Sequence, residues 1–185
     1  MFDDNLETVL TMVERAFVRI QAGDVLATCL QQESTAPLQK LVEELVLAGP
    51  TSLNALREIR AEVIAQRAEL QNEIARIFSS MEEKLMSWGV NLEGLSGRTT
   101  MHSLEIACLG NLLRPAEGQD DSRLLECSRL LGASKESMIQ IARQILLLNE
   151  VDIYLGDWIW GLMYQSARQM ERDDRLSNSK GNCWH

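Results

Sequence analysis

Histidine is nearly missing from this chain: His102 and His185 are the two present among 185 residues. No CxxC pair and no Glu-x-x-His motif occurs, so the spacings that build structural zinc sites or carboxylate-bridged metal pairs in helical bundles are absent. His102 shares a helical face with Glu105 but not with Cys108, and reads as a partly exposed side chain. Neither metal nor cofactor is expected. The acidic side chains Glu58, Glu62, Glu69 and Glu73 read as solvent-facing charge, with Glu58 and Glu62 paired to arginines at helical spacing.

Catalytic signatures are lacking too. The sequence holds no Walker loop, dinucleotide-binding turn, zincin motif or nucleophile elbow, and no histidine stands with a serine and an aspartate in a triad pattern. No catalytic residue is assigned, and a non-enzymatic role is the expectation.

Basic patches are absent. The formal charge is −9, from 27 acidic and 18 basic residues, and no window gathers Lys and Arg. Attraction to nucleic acid or anionic lipid is disfavoured, whereas a basic or neutral partner surface approaches easily. The most apolar region, 138–164, is interrupted by Arg143, Glu150, Asp152 and Asp157, so no membrane span is expected. The opening MFDDNLETVLTM carries acid where a secretory leader needs positive charge. Cys29, Cys108, Cys127 and Cys183 have no pairing pattern, and the first three sit among apolar residues as small buried hydrophobes would. Free thiols and a cytoplasmic location follow as expectations.

What the sequence does contain is helical periodicity almost throughout. Its three prolines, Pro37, Pro50 and Pro115, fall where elements begin or end. Leu6, Val9, Val13, Phe17 and Ile20 define one face of a first helix, which Gly23 is expected to end. Shorter helices follow over about 25–32 and 37–47, the latter stopped by Gly49 and Pro50. From Thr51 or Ser52 a helix of more than thirty residues is predicted, about 50 Å long at ~1.5 Å per residue. Leu56, Val63, Leu70 and Ile77 recur with a period of seven, beside Ile74, Met81 and Trp88. Arg60 and Arg67 interrupt its second heptad line, which argues against a simple two-stranded seam there and leaves both a bundle spine and a coiled-coil arm open.

The glycine-rich segment 89–100 reads as a loop. Helices are expected to resume over 101–113 and 122–131, with Gly132 ending the latter and Ser134 capping the next. The fold class predicted is all-α, a multi-helix bundle with one long central helix and a hydrophobic C-terminal helical block. One all-helical domain is expected over 1–174, divisible into two subdomains at a hinge in 89–100, with a flexible C-terminal tail over 175–185.

Within that last block, VDIYLGDWIWGLMYQ concentrates Tyr154, Trp158, Trp160 and Tyr164 in a chain that is 5% aromatic. Residues two apart do not share a helical face, so Trp158 and Trp160 point apart, Trp158 toward a core with Tyr154 and Trp160 outward. Apolar residues spread beyond one face, so this helix is either central or meets another subunit on its second side. Gly156 and Asp157 mark an expected break. Asp152 is the anomaly, a carboxylate on the stripe of Ile145, Leu148, Leu155 and Ile159; it needs a donor or cation, whether in a salt bridge, a helix cap, a ligand contact or an interface. The partner-binding residues assigned are Tyr154, Trp158, Trp160, Tyr164 and Asp152. The function expected is a helical adaptor or regulatory protein that self-associates and binds another protein. The alternative is a small-molecule or pigment-like cofactor sensor with an apolar cleft around 152–164.

Overall fold

A computed structural model describes residues 3–47, 52–92, 100–112 and 121–181. Within these residues every regular element is an α-helix, and the chain is an all-α, multi-helix bundle: α1 (Asp3–Gln32), α2 (Ala36–Leu47), α3 (Ser52–Ser87), α4 (Met101–Leu112) and α5 (Asp121–Gly181). The long helix expected after Ser52 is α3, at 36 residues, and the apolar C-terminal block lies in α5, which at 61 residues is longer still.

The helix ends are set by local hydrogen bonding. α1 stops where Glu33 adopts φ 49° and Ser34 N–H donates back to the Cys29 carbonyl at 3.0 Å. That is a Schellman closure with glutamate in the left-handed position that glycine usually holds. Thr35 then caps α2, its carbonyl accepting from the Leu38 and Gln39 amides. α3 closes the same way on Gly89, φ 83°, with Val90 N–H donating to the Leu85 carbonyl at 3.0 Å. Val90 and Leu85 are both buried, as the accompanying apolar contact requires. α4 opens on a reciprocal cap: Ser103 N–H donates to Thr100 Oγ1 at 3.2 Å, and Thr100 N–H donates to Ser103 Oγ at 2.8 Å.

Several expected breaks do not occur. α1 continues through Gly23, and α5 runs unbroken through Gly132, Ser134, Gly156 and Asp157. An isolated helical glycine costs only ~1 kcal/mol relative to alanine, and the buried residues on either side outweigh it. Ala22, Leu26 and Cys29 are buried around Gly23, and Leu155 and Ile159 around Gly156. The helical backbone of α5 extends to Gly181. The stop at Gly49 and Pro50, the segment 93–99, Pro115, and the terminal Cys183, Trp184 and His185 lie outside the described residues.

The chain forms two compact units, Met1–Arg67 with Leu146–His185, and Ala68–Ile145. α3 and α5 each contribute a segment to both units. In the first unit the core is Leu26 and Cys29 of α1, Leu38 and Val42 of α2, Leu56, Ile59 and Val63 of α3, and Leu148, Val151 and Leu155 of α5. The second unit is closed by Met81, Leu85 and Val90 with Leu104 and Cys108 of α4 and Cys127, Leu131 and Met138 of α5.

Candidate protein-interaction face

Within the first unit, α5 is apolar on two opposite sides. Leu148, Val151, Leu155 and Ile159 are buried on one. On the other, Leu146, Ile153 and Trp160 follow one another at intervals of seven residues and are 62%, 67% and 70% exposed. Seven residues make nearly two turns, so these side chains fall almost in line along the helix. Met163, Tyr164 and Met170 are exposed further along. Glu150 and Asp157 are exposed one turn beyond Leu146 and Ile153 and give the stripe an acidic edge.

The aromatic residues separate as their spacing requires. Trp160 stacks on Tyr164 with ring centroids 5.6 Å apart and planes within 6°, and the Arg168 guanidinium carbon lies 4.9 Å from the Tyr164 centroid. This three-tier column at successive i, i+4 positions restricts the Trp160 ring while leaving it accessible. Tyr154 and Trp158 are half-buried and meet edge to face at 6.4 Å. They border a groove of about 390 Å³ together with Val46, Gly161 and Leu162.

Asp152 lies on the inward side. Arg60 Nε donates to its Oδ1 at 2.6 Å, and Arg67 Nη1 lies 3.4 Å from its Oδ2 while donating to Asn149 Oδ1 at 2.8 Å. The Arg60 guanidinium passes 3.9 Å from the position a Cβ would take on Gly156, one turn beyond Asp152. The two arginines that interrupt the heptad line of α3 therefore meet the one carboxylate that interrupts the apolar stripe of α5. Both carboxylate oxygens are engaged inside the unit, so Asp152 does not stand with Trp160 and Tyr164 on the open side.

α1 carries a second exposed apolar face, the one that the sequence pattern lines up along this helix. Val9, Val13, Phe17 and Ile20 are all more than half exposed. Toward α3 the same stretch makes ion pairs, Arg19 Nε donating to Glu58 Oε2 at 2.7 Å and Arg15 Nε lying 3.8 Å from Oε1, while Val13 and Phe17 border a groove of about 510 Å³ with Leu45 and Ala55. Glu58 is thus drawn to arginines of another helix and is largely covered, not a solvent-facing charge paired within its own helix. The signal for this lay in the sequence only as an amphipathic pattern, which does not say whether the apolar side is the covered one.

Among the described residues no group of three or more His, Cys, Asp or Glu side chains is placed to hold a metal ion, and no helix is long and apolar enough to cross a membrane. His102 is exposed, its Nδ1 3.9 Å from Glu105 Oε2, while Lys135 reaches the other Glu105 oxygen at 3.6 Å. Comparison with known proteins gave no match: no family model, no curated protein and no solved structure resembles this chain.

Proposed function

We propose that this protein is a non-enzymatic helical adaptor that works by binding another protein and by self-association, with the outer stripe of α5 as its partner-binding face. The observation that carries the reading is the in-line exposure of Leu146, Ile153 and Trp160 on a helix whose opposite side is already buried. A surface helix needs one apolar side to pack, and a second regular one gains nothing until a partner covers it. Period-seven spacing suits another helix as that partner.

Charge selects the kind of helix. Glu150 and Asp157 border the stripe, and the chain as a whole carries −9, so the fitting occupant is an amphipathic helix with lysine or arginine along its edges. Pairing the stripe with its own copy would bring like charges together. Self-association is therefore assigned to the exposed α1 face of Val9, Val13, Phe17 and Ile20. Trp160, stacked on Tyr164, is the proposed anchor, since a pre-ordered aromatic loses little freedom on binding.

The test uses two synthetic helices with the same leucine seam, one flanked by lysine and one by glutamate, titrated against the full chain and its Trp160→Ala variant. Binding of the lysine-flanked helix alone, weakened about thirtyfold by the substitution, is the expected result, corresponding to a hot-spot loss of ~2 kcal/mol. Equal binding of both helices, or an unchanged affinity in the variant, would remove the α5 face from consideration. Native mass spectrometry across a concentration series, repeated with Phe17→Asp, tests self-association through α1. The same spectra carry the alternative: a discrete added mass would favour a small-molecule sensor using the Tyr154–Trp158 groove.

A further inference from the structure

The second unit holds a feature that the interaction reading leaves unused. Cys108 of α4 and Cys127 of α5 are both buried free thiols in one cluster, packed with Met81, Leu85, Leu104 and Leu131. Within that cluster the two thiols are side-chain neighbours close enough to perturb one another. The remaining described cysteine, Cys29, belongs to the core of the first unit.

From this juxtaposition we infer that Cys108 and Cys127 form a dithiol–disulfide site, oxidised by small disulfides into a bond that ties α4 to α5. The chemistry closes without an added charge. One thiolate of the pair attacks a sulfur of a low-molecular-weight disulfide such as oxidised glutathione, forming a mixed disulfide and expelling one small thiolate. The second protein thiolate attacks the protein sulfur of that mixed disulfide and expels the other. Two electrons pass to the small molecule, and the two protons of the protein thiols end on the two small thiols released. A neutral bond then lies in an apolar cluster. Two thiolates supply only half of the four ligands a structural zinc takes, and among the described residues no third His, Cys, Asp or Glu stands with them to hold a metal ion.

Burial sets the rate. Desolvation, reinforced by the neighbouring Cys127, pushes the Cys108 thiol up to about 11, and burial also raises Cys127. Thiolate is scarce at neutral pH and the sulfurs are covered, so oxidation follows opening of the second unit rather than collision with the closed surface. The bond would close a loop of about twenty residues and restrict the unfolded chain accordingly.

The experiment takes the full chain with Cys29→Ala and Cys183→Ala, equilibrated in glutathione buffers of graded ratio, and reads intact mass, peptide maps and thermal melting. The expected species has lost the mass of two hydrogens, carries a Cys108–Cys127 cross-linked peptide, and melts about 5 °C or more above the reduced form. Adding Cys108→Ser should stop the reaction at the mixed disulfide on Cys127. Circular dichroism identifies chains that remain folded, and the Cys108→Ala/Cys127→Ala pair supplies a thiol-free reference. Persistence of both thiols, or separate glutathione adducts on each, in folded protein at ratios that oxidise the urea-unfolded chain would overturn the assignment. So would a cross-link that lowers the melting temperature.

Discussion

Arg60 reaches across from α3 to hold Asp152 of α5 at 2.6 Å, with the carboxylate mostly covered and Arg67 against its other oxygen. Each of these residues breaks an apolar line in its own helix. Together they satisfy one another and fix which stretch of α3 lies opposite which stretch of α5 in the first unit. The side chains are partly solvated, so removing the carboxylate should cost less than for a fully buried pair. Asp152→Asn is expected to lower stability by ~1–2 kcal/mol in urea unfolding, and a double-mutant cycle with Arg60→Met should return a coupling of ~1 kcal/mol. Additive single effects would show that the pair contributes shape and not energy.

Glu33 should be improvable. At φ 49° a β-carbon crowds the following carbonyl, and glycine relieves it without disturbing the Ser34 to Cys29 hydrogen bond. Glu33→Gly is expected to stabilise the protein by ~0.5–1 kcal/mol in thermal or urea melts, a gain reduced from the full ~1–2 kcal/mol steric term by the greater freedom of glycine in the unfolded chain.

The converse holds at Gly89. A Cβ there meets nothing within 4 Å, so the penalty of Gly89→Ala is that of the backbone at φ 83° alone. A loss of ~1 kcal/mol is expected, with Val90 and Leu85 remaining the apolar clasp of the turn.

The two tryptophans should separate folding from binding. Trp158 is half-buried against Tyr154, and Trp158→Ala should cost ~2 kcal/mol of stability through lost packing. Trp160→Ala loses only a stacked neighbour on an exposed face, so its effect on urea unfolding should stay within about 0.5 kcal/mol. A large unfolding effect for Trp160→Ala would mean that this side of α5 is covered in the folded chain.

Alkaline pH should weaken the second unit. Cys108 ionises near 9.0 when unfolded and about 11 when folded, so above pH 9 the unfolded chain releases a proton that the folded one keeps. Fewer protons on the unfolded state make stability fall as pH rises, progressively between pH 9 and 11. The contribution is fully present below pH 9. Comparing urea unfolding of the wild type and Cys108→Ala across that range should show the steeper decline in the wild type.

Much of the local structure was legible in the sequence because its causes are local. Heptad spacing in 52–87 announced α3, Gly89 its end, and the segment from Met101 a helix that Thr100 and Ser103 cap. The divergence of Trp158 and Trp160 followed from two residues at 100° each. Breaks at Gly23, Gly132 and Gly156 were misread because a helical glycine has a small cost, and whether it ends a helix depends on what the flanking turns bury.

Spacing by itself determined that this chain is helical, where most of its helices lie, and that α5 has apolar residues on more than one side. Periodicity is written along the chain, and each helical turn is made by residues within four of one another. Only the tertiary structure decided that the α1 face and the Leu146–Ile153–Trp160 stripe lie open, that Asp152 belongs to Arg60 and Arg67, and that Cys108 meets Cys127. Those outcomes join residues far apart in sequence. A pattern of hydrophobicity says which side chains need a neighbour, and the packing of the other helices says which of them receive one.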